Sequence, residues 1–117
     1  MKDDSCIFCK ISYKEIKSEI IFENENFIAI PDSKPRVKGH TLIISKKHFV
    51  NTLDLPISLG KELLDAFKNV SSKLLKEKGV EGFNILQNNF PLAGQVVMHT
   101  HFHVIPRRKG DGLKFLG

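Results

Sequence analysis

The sequence predicts an α+β fold, in which an antiparallel sheet of about five strands carries one long helix and a short N-terminal helix. Only one stretch of the 117 residues has a long helical pattern, whereas five short segments have strand character. One long helix is too few for a parallel sheet of five strands, because each parallel crossover usually needs its own helix. No repeat, linker or low-complexity tract divides the sequence, so residues 1–117 are predicted to form one domain.

The N-terminal half of the sequence contains the shorter elements. Residues 6–14 show no strand alternation and predict a short helix or turn. Two β-rich runs, residues 20–23 and 27–30, flank an asparagine-rich turn and predict a hairpin. A loop with two prolines and a glycine follows, and residues 40–45 predict the third strand.

The long helix is predicted to begin near Asp54, which can cap it, with Pro56 in its first turn. Residues 63–75 repeat apolar side chains at three- and four-residue spacing, which gives one apolar stripe. A glycine after two lysines provides the C-terminal stop. A fourth strand over residues 82–88 and a last strand over about residues 96–106 complete the predicted sheet.

The composition excludes several classes of protein. The chain is 41% hydrophobic and 26% charged, which is typical of a globular domain and not of a disordered one. No apolar run approaches the roughly 20 residues of a membrane-spanning helix, and the polar N-terminus does not resemble a signal peptide. We therefore expect a soluble, cytoplasmic protein without a membrane partner. The net charge of +5 comes from scattered basic residues without interleaved aromatics, so nucleic acid is not a predicted partner.

The segment that points most directly to chemistry contains His99, His101 and His103. Alternate residues of a strand share one face, about 6.5–7 Å apart, so the three imidazoles are predicted to surround a group the size of a phosphate. Phe102 and Val104 then point to the other face, where they can pack under the helix. Neutral imidazole is a nucleophile and general base near pH 7, and its cation is a general acid. Three further residues near the row offer backbone or amide donors to a phosphate: Asn88, Gly94 and Gln95. The alternative is a row of surface histidines that binds a metal fortuitously.

Residues 99–105 read His-Thr-His-Phe-His-Val-Ile, and this segment resembles the histidine-triad (HIT) signature, His-φ-His-φ-His-φ-φ, where φ is apolar. Thr100 departs from the pattern mildly, because its methyl group can still pack. Four other segments resemble the Hint-like branch of that family in the correct order: residues 6–11, 29–32, 39–44 and 93–95. The resemblance covers nearly the whole chain and implies the HIT fold.

The resemblance also implies an activity. HIT proteins of this branch are nucleotidyl hydrolases or transferases that cleave purine nucleoside phosphoramidates or related AMP derivatives. By position, His101 matches the nucleophile that attacks the α-phosphorus, and a nucleotidyl-histidine intermediate follows. His103 matches the residue at the phosphate and the leaving group, and His40 matches the family's fourth histidine. Two alternatives remain open: a dinucleoside polyphosphate hydrolase, and a nucleotide-binding or partner-binding module with incidental catalysis.

The same resemblance implies a purine nucleotide as the small-molecule partner. The matching residues are Ile7, Phe8, Ile11, Ile30, Asp32, Leu42, Asn88, Gly94, Gln95 and Val96. Asp32 matches the carboxylate that accepts from the ribose hydroxyls, and Val96 replaces a serine found in some relatives, so only its backbone N–H could contact phosphate. The apolar members would also suit an ordinary core, and Asp32 an ordinary turn. Catalysis in the family needs no cofactor, and the family suggests a homodimer formed through the helix and central strands.

Cys6 and Cys9 have the spacing of half a tetrahedral metal site. Two more ligands are needed, and His48 and His99 are the histidines that the predicted phosphate site leaves free. Many bacterial relatives with this opening resemble zinc proteins with such a set, which implies a structural zinc at Cys6, Cys9, His48 and His99. A disulfide, a redox pair and two ordinary thiols are the alternatives.

Overall fold

A computed structural model describes residues 2–116 and confirms the α+β class. Its helices are α1, Ile7–Ser12, and α2, Gly60–Leu75. Its strands are β1, Phe22–Glu23; β2, Phe27–Pro31; β3, Thr41–Ser45; β4, Gly82–Leu86; and β5, His101–Arg107. All neighbouring strands pair antiparallel in the order β1-β2-β3-β5-β4, so the predicted five-stranded sheet is confirmed. The assignment of residues 1–117 to one domain stays a prediction, and residues 1 and 117 lie outside the described range.

The long helix covers one face of the sheet. Its buried residues are Ala66, Val70, Ser71 and Leu74. Of the stripe predicted over residues 63–75, Val70 and Leu74 are buried and Leu63 and Phe67 are partly buried, whereas Leu64 and Leu75 are exposed. The buried apolar residues pack against sheet residues that alternate along the strands, including Phe27, Ile43, Phe102 and Val104. The sequence correctly predicted Phe102 and Val104 on this face. Burial of each large side chain contributes about 1.5–3 kcal/mol, so this layer is the main apolar core.

The opposite face of the sheet has a smaller apolar layer and the histidines. Phe8 of α1 packs there with Ile28, Ile30, Leu42 and Ile44. In the β3–β5 register His101 pairs with Ile44 and His103 pairs with Leu42. Because directly paired residues of neighbouring strands project to the same face, both histidines lie on the side of the sheet opposite α2.

The predicted start of the long helix is wrong. The α-helix begins at Gly60, and two 3-10 turns, Thr52–Asp54 and Ile57–Leu59, precede it. Asn51 caps the first turn by accepting from the Leu53 N–H, and the Asp54 carboxylate accepts from the Val50 N–H instead of capping α2. Pro56 stands before the second turn with ψ at 137°, an extended conformation that interrupts the helical path.

The last strand is shorter than predicted, and this moves His99 out of the sheet. Residues 97–99 form a bend, and β5 begins only at His101. The Gln95 amide donates to the Val50 and Val97 carbonyls, which holds the preceding loop away from the strand path. The first and fourth strands are also shorter than predicted, at residues 22–23 and 82–86. Within residues 2–116 no helix is long and apolar enough to cross a membrane.

Candidate active site and metal cluster

A cavity of about 780 Å³ opens on the face of the sheet opposite α2. Its wall combines an apolar side, polar loop residues and three histidines. The predicted site residues that line it are Ile7, Phe8, Ile11, Ile30, Asp32, His40, Leu42, Asn88, Gly94, Val96, His101 and His103. The fold thus brings together residues from α1, β2, β3, the loop after β4, and β5.

His101 is held in one tautomer by the backbone. Its Nδ1 lies 2.7 Å from the carbonyl oxygen of His99, which can only accept, so Nδ1 carries the proton. The ring also packs edge-on against Phe8, with centroids 5.1 Å apart. The Nε2 atom of this half-buried ring therefore keeps its lone pair. A fixed imidazole with a free lone pair is the form that a nucleophile or a general base requires.

His40 and His103 form a chain of hydrogen bonds that fixes the tautomer opposite to that of His101, with the ring proton on Nε2. The Arg36 backbone N–H donates to His40 Nδ1 at 3.0 Å, so the proton of the neutral His40 ring is on Nε2. That Nε2–H lies 2.9 Å from His103 Nδ1 and donates to it, which places the His103 proton on its own Nε2. The rings of His101 and His103 are neighbours, with centroids 5.3 Å apart. The cavity wall thus combines one nitrogen lone pair with one N–H donor.

Burial keeps this histidine chain neutral. The pKa of His103 is lowered to about 4, mainly by burial and to a smaller extent by the nearby His101 and His40, while Asp32 opposes the shift. Burial likewise lowers the pKa of His40, against the attraction of Asp32. The Asp32 Oδ2 atom lies 3.3 Å from His40 Nε2. Asp32 therefore acts on the histidine chain as well as lining the cavity, a second role that its position beside a proline did not reveal.

A second cluster lies next to the cavity and contains Cys6, Cys9, His48 and His99, whose donor atoms all lie within 4.8 Å of one another. The distance is 3.2 Å from Cys6 Sγ to His99 Nδ1 and 3.3 Å from Cys9 Sγ to His48 Nδ1. A tetrahedral zinc with ordinary bond lengths separates a sulfur ligand from a nitrogen ligand by about 3.5 Å. The observed spacings therefore fit a single metal ion, and both cysteines are free thiols, not a disulfide.

The surroundings of the cluster also suit a metal. His99 Nε2 donates to the Ser45 carbonyl at 2.7 Å, so Nδ1 has its lone pair directed at the cysteines. Burial lowers the pKa of His99 to about 4 and raises the pKa of the Cys9 thiol, and both groups lie out of solvent. A metal cation offsets the cost of a buried thiolate. Two sulfur and two nitrogen donors complete a tetrahedron, which leaves no open position for a reacting molecule.

Comparison with known proteins identifies the family. Residues 13–110 match the family model described as the HIT domain. The chain belongs to the HIT family. An uncharacterised HIT-like protein of Methanocaldococcus jannaschii is 45% identical over 92% of this chain and 82% of its own length. The Saccharomyces cerevisiae protein named adenosine 5'-monophosphoramidase HNT1 is 40% identical over 91% of this chain and 65% of its own length.

A solved structure of a Zn-bound histidine triad family protein from Mycobacterium smegmatis superimposes on this HIT chain with a TM-score of 0.87. That protein is 37% identical, and the alignment covers 95% of this chain and 81% of the other. The HIT fold predicted from the sequence is therefore confirmed. The resemblance to the family is confirmed as well.

One predicted site residue of the HIT chain does not line the cavity. The side chain of Gln95 is buried, and its Oε1 accepts from the Phe90 N–H while its amide donates to two carbonyls. Gln95 therefore supports the loop that carries Gly94 and Val96. At Gly94 φ is +100°, and an added Cβ would lie 3.1 Å from the Asn88 amide nitrogen, so this position requires glycine.

Several groups that shape the site could not be predicted from the sequence. The tautomers of His101, His40 and His99 depend on three backbone groups: the His99 carbonyl, the Arg36 N–H and the Ser45 carbonyl. Every residue has such backbone groups, so the residue types do not show which one a histidine contacts.

Asp32, His40 and His103 also lie close enough to suggest a second metal site. His40 argues against one, because its Nδ1 already accepts an N–H and its Nε2 must then keep its proton. A protonated nitrogen has no lone pair for a metal.

Proposed function

We propose that this HIT chain is a nucleotidyl hydrolase that cleaves the bond to the α-phosphorus of purine nucleoside phosphoramidates or related AMP derivatives. The observation that supports this most strongly is the 2.7 Å contact between His101 Nδ1 and the His99 carbonyl, which leaves Nε2 free at the cavity. The name of the yeast relative, an adenosine 5'-monophosphoramidase, supports the same substrate class.

In this mechanism His101 Nε2 attacks the α-phosphorus, and the bond from phosphorus to the amine nitrogen breaks. His103 stays neutral, and the Nε2–H that the His40 chain fixes donates a hydrogen bond to the reacting phosphate group, while the departing amine takes its proton from water in the open cavity. The His101 ring becomes positively charged in the nucleotidyl intermediate, and the His99 carbonyl stabilises the remaining Nδ1–H. Water then attacks phosphorus and releases its proton to the solvent, the bond to His101 breaks, and AMP leaves while the His101 ring becomes neutral again.

The cavity wall gives each part of the nucleotide a place. The apolar side around Phe8, Ile30 and Leu42 suits the flat face of a purine. Asp32 is proposed to accept from the ribose hydroxyls, because a half-buried carboxylate has acceptor capacity beyond its contact with His40. Backbone groups near Gly94, together with the Asn88 amide, are proposed to contact the phosphate oxygens, since both line the cavity beside His101.

Release of AMP from adenosine 5'-phosphoramidate tests the proposal. We expect turnover by the wild type and loss of at least about 1000-fold in kcat for His101→Ala, because no other lone pair replaces the nucleophile. Lys109→Gln is the control, since Lys109 is exposed and lies outside the cavity wall. Diadenosine polyphosphates in parallel distinguish the second hydrolase class. Tight AMP binding without turnover of any of these compounds would instead indicate a binding module.

The metal in the cysteine–histidine cluster is proposed to be zinc with a purely structural role. The S2N2 donor set and its 3.2–3.3 Å spacings support zinc, as does the Zn-bound relative from Mycobacterium smegmatis. Cys6 caps α1 by accepting from the Cys9 N–H. The metal would therefore fasten this short helix, which carries Phe8, to the bend that precedes β5.

A homodimer is proposed as the functional state. Strand β4 pairs only with β5 among residues 2–116, so its outer edge has free backbone groups. On the helix-covered face, Phe83 and Ile85 of this strand are 39% and 41% exposed. A second copy that pairs with the β4 edge would cover both side chains. Light scattering on a size-exclusion column tests this: Ile85→Lys is expected to shift the mass of the species from two chains to one.

A cytoplasmic location remains an expectation from the sequence.

A further inference from the structure

Three cationic side chains line the cavity at exposed positions and are not assigned a contact with the substrate in the mechanism above. They are Lys17, Lys34 and Arg36. Within residues 2–116 none of them has a carboxylate within 4.0 Å of its side-chain nitrogens, unlike Lys14, which pairs with Glu23 at 3.0 Å. We refer to these three residues as the basic rim.

The basic rim lies beside the position proposed for the ribose. The Lys34 backbone N–H donates to Asp32 Oδ1 at 2.8 Å, and the Arg36 N–H donates to His40 Nδ1 at 3.0 Å. The first bond fixes the loop between β2 and β3 to the carboxylate that is proposed to bind the ribose hydroxyls, and the second fixes it to the histidine beside that carboxylate. Lys17 lies in the segment after α1, and both this residue and Ile11 of α1 line the cavity.

The charge of the rim exceeds what a substrate with one phosphate would use. The cavity wall has three cations but a single carboxylate, Asp32. The α-phosphate lies, in the proposed function, at His101, His103 and the loop around Gly94. Three exposed cations around one site repel each other, and this repulsion is relieved when an anion binds among them.

We propose that the basic rim binds a second phosphate, carried by the 2'- or 3'-hydroxyl of the ribose. The preferred substrates would then be 5'-phosphoramidates, or related 5'-derivatives, of nucleotides with a phosphorylated ribose. This inference rests on the proposed function, because it takes the position of the ribose from it. Arginine and lysine are the side chains suited to such a group, since charge-assisted hydrogen bonds to phosphate are the strong ones.

Binding of four product analogues by isothermal titration calorimetry tests the proposal. The analogues are AMP, ADP, adenosine 2',5'-bisphosphate and adenosine 3',5'-bisphosphate. We expect one of the bisphosphates to bind about tenfold more tightly than AMP, a modest gain because the rim is exposed. In the double variant Lys34→Gln/Arg36→Gln the Kd for AMP divided by the Kd for the preferred bisphosphate should fall to about one. Lys38→Gln is the matched control from the same loop, since Lys38 does not line the cavity, and it should keep the wild-type ratio.

ADP separates the ribose position from the phosphate chain, because its extra charge lies along the 5' chain. A gain for ADP that disappears in the double variant, without a gain for either bisphosphate, would overturn the proposal. So would equal binding of AMP and both bisphosphates by the wild type. If AMP binds and phosphoramidate is hydrolysed in that case, only the role of the rim is refuted. Failure of AMP to bind or of phosphoramidate to turn over refutes the proposed function itself.

The rim should also show its electrostatic origin in the salt dependence. The preference for the bisphosphate is expected to shrink several-fold between about 50 mM and about 300 mM salt, because exposed charges are screened over this range. A preference that does not change with salt would contradict binding by these side chains.

Discussion

Removal of the metal should destabilise the fold by an amount that the chain topology sets. A metal that joins Cys9 to His48 closes a loop of 39 residues. The loop-closure entropy of such a cross-link stabilises the folded state by about 4 kcal/mol, and the further link to His99 adds to this. For 117 residues the unfolding entropy makes 1 kcal/mol equivalent to about 4 °C in Tm. Chelation is therefore expected to lower Tm by at least about 16 °C.

The assay combines metal analysis with thermal unfolding at neutral pH, before and after treatment with a strong chelator. Zinc should be found at about one ion per chain, and its return to the stripped protein should restore Tm. His99→Ala should lose the metal. His103→Ala is the matched control, because it also removes a largely buried histidine but leaves the cluster intact. Retention of Tm after complete metal loss, or equal metal loss in both variants, would refute the reasoning.

Three further expectations follow from other parts of the structure. The pKa of His103 in the folded protein is about 4, below its ordinary 6.5, so the unfolded chain binds this proton at a higher pH than the folded chain does. The contribution of His103 to the free energy of unfolding is therefore fully present above about pH 6.5, and up to about 3 kcal/mol is lost as the pH falls toward 4. NMR titration should give that pKa, and urea unfolding of the wild type should lose more stability in acid than that of His103→Asn. Gln95→Ala should cost about 1–3 kcal/mol in urea unfolding and reduce kcat/KM, because buried partners lose their hydrogen bonds; unchanged stability would contradict its supporting role. Gly94→Ala should lower kcat/KM for the phosphoramidate, since the left-handed backbone strains any side chain and the new Cβ crowds Asn88; wild-type kinetics would show that this loop does not contact phosphate.

The sequence revealed much of the fold because its information is periodic. Alternation placed Phe102 and Val104 under the helix, and three- and four-residue spacing identified Val70 and Leu74 of the buried stripe of α2, although it also included two leucines that are exposed. The clustering of Cys6, Cys9, His48 and His99 was also predicted, from the CxxC spacing together with a family resemblance. Side-chain type and spacing were sufficient for the buried faces, whereas the two histidines of the cluster also needed the family resemblance.

The rest depended on interactions that residue types do not encode. The helix begins at Gly60 because the residues before it form 3-10 turns, the first of which is capped by Asn51. Capping residues suit a 3-10 turn as well as an α-helix, so the sequence did not distinguish the two. The row of three histidines is broken because a buried amide, Gln95, bends the chain before β5. The tautomers of His101 and His40 follow from backbone groups opposite them, which become visible only in three dimensions.

The position of His99 has a consequence for how inhibitors of this protein are interpreted. Its ring belongs to the metal cluster, while its carbonyl orients the proposed nucleophile two residues later. An alkylating agent that consumes Cys6 would release the ring and, with it, the carbonyl. Thiol reagents are therefore expected to inhibit a reaction that uses no thiol, and prior loading with zinc should protect against them. Such inhibition would resemble that of an enzyme with a catalytic cysteine, although its cause would be the loss of the metal cluster that positions the His99 carbonyl.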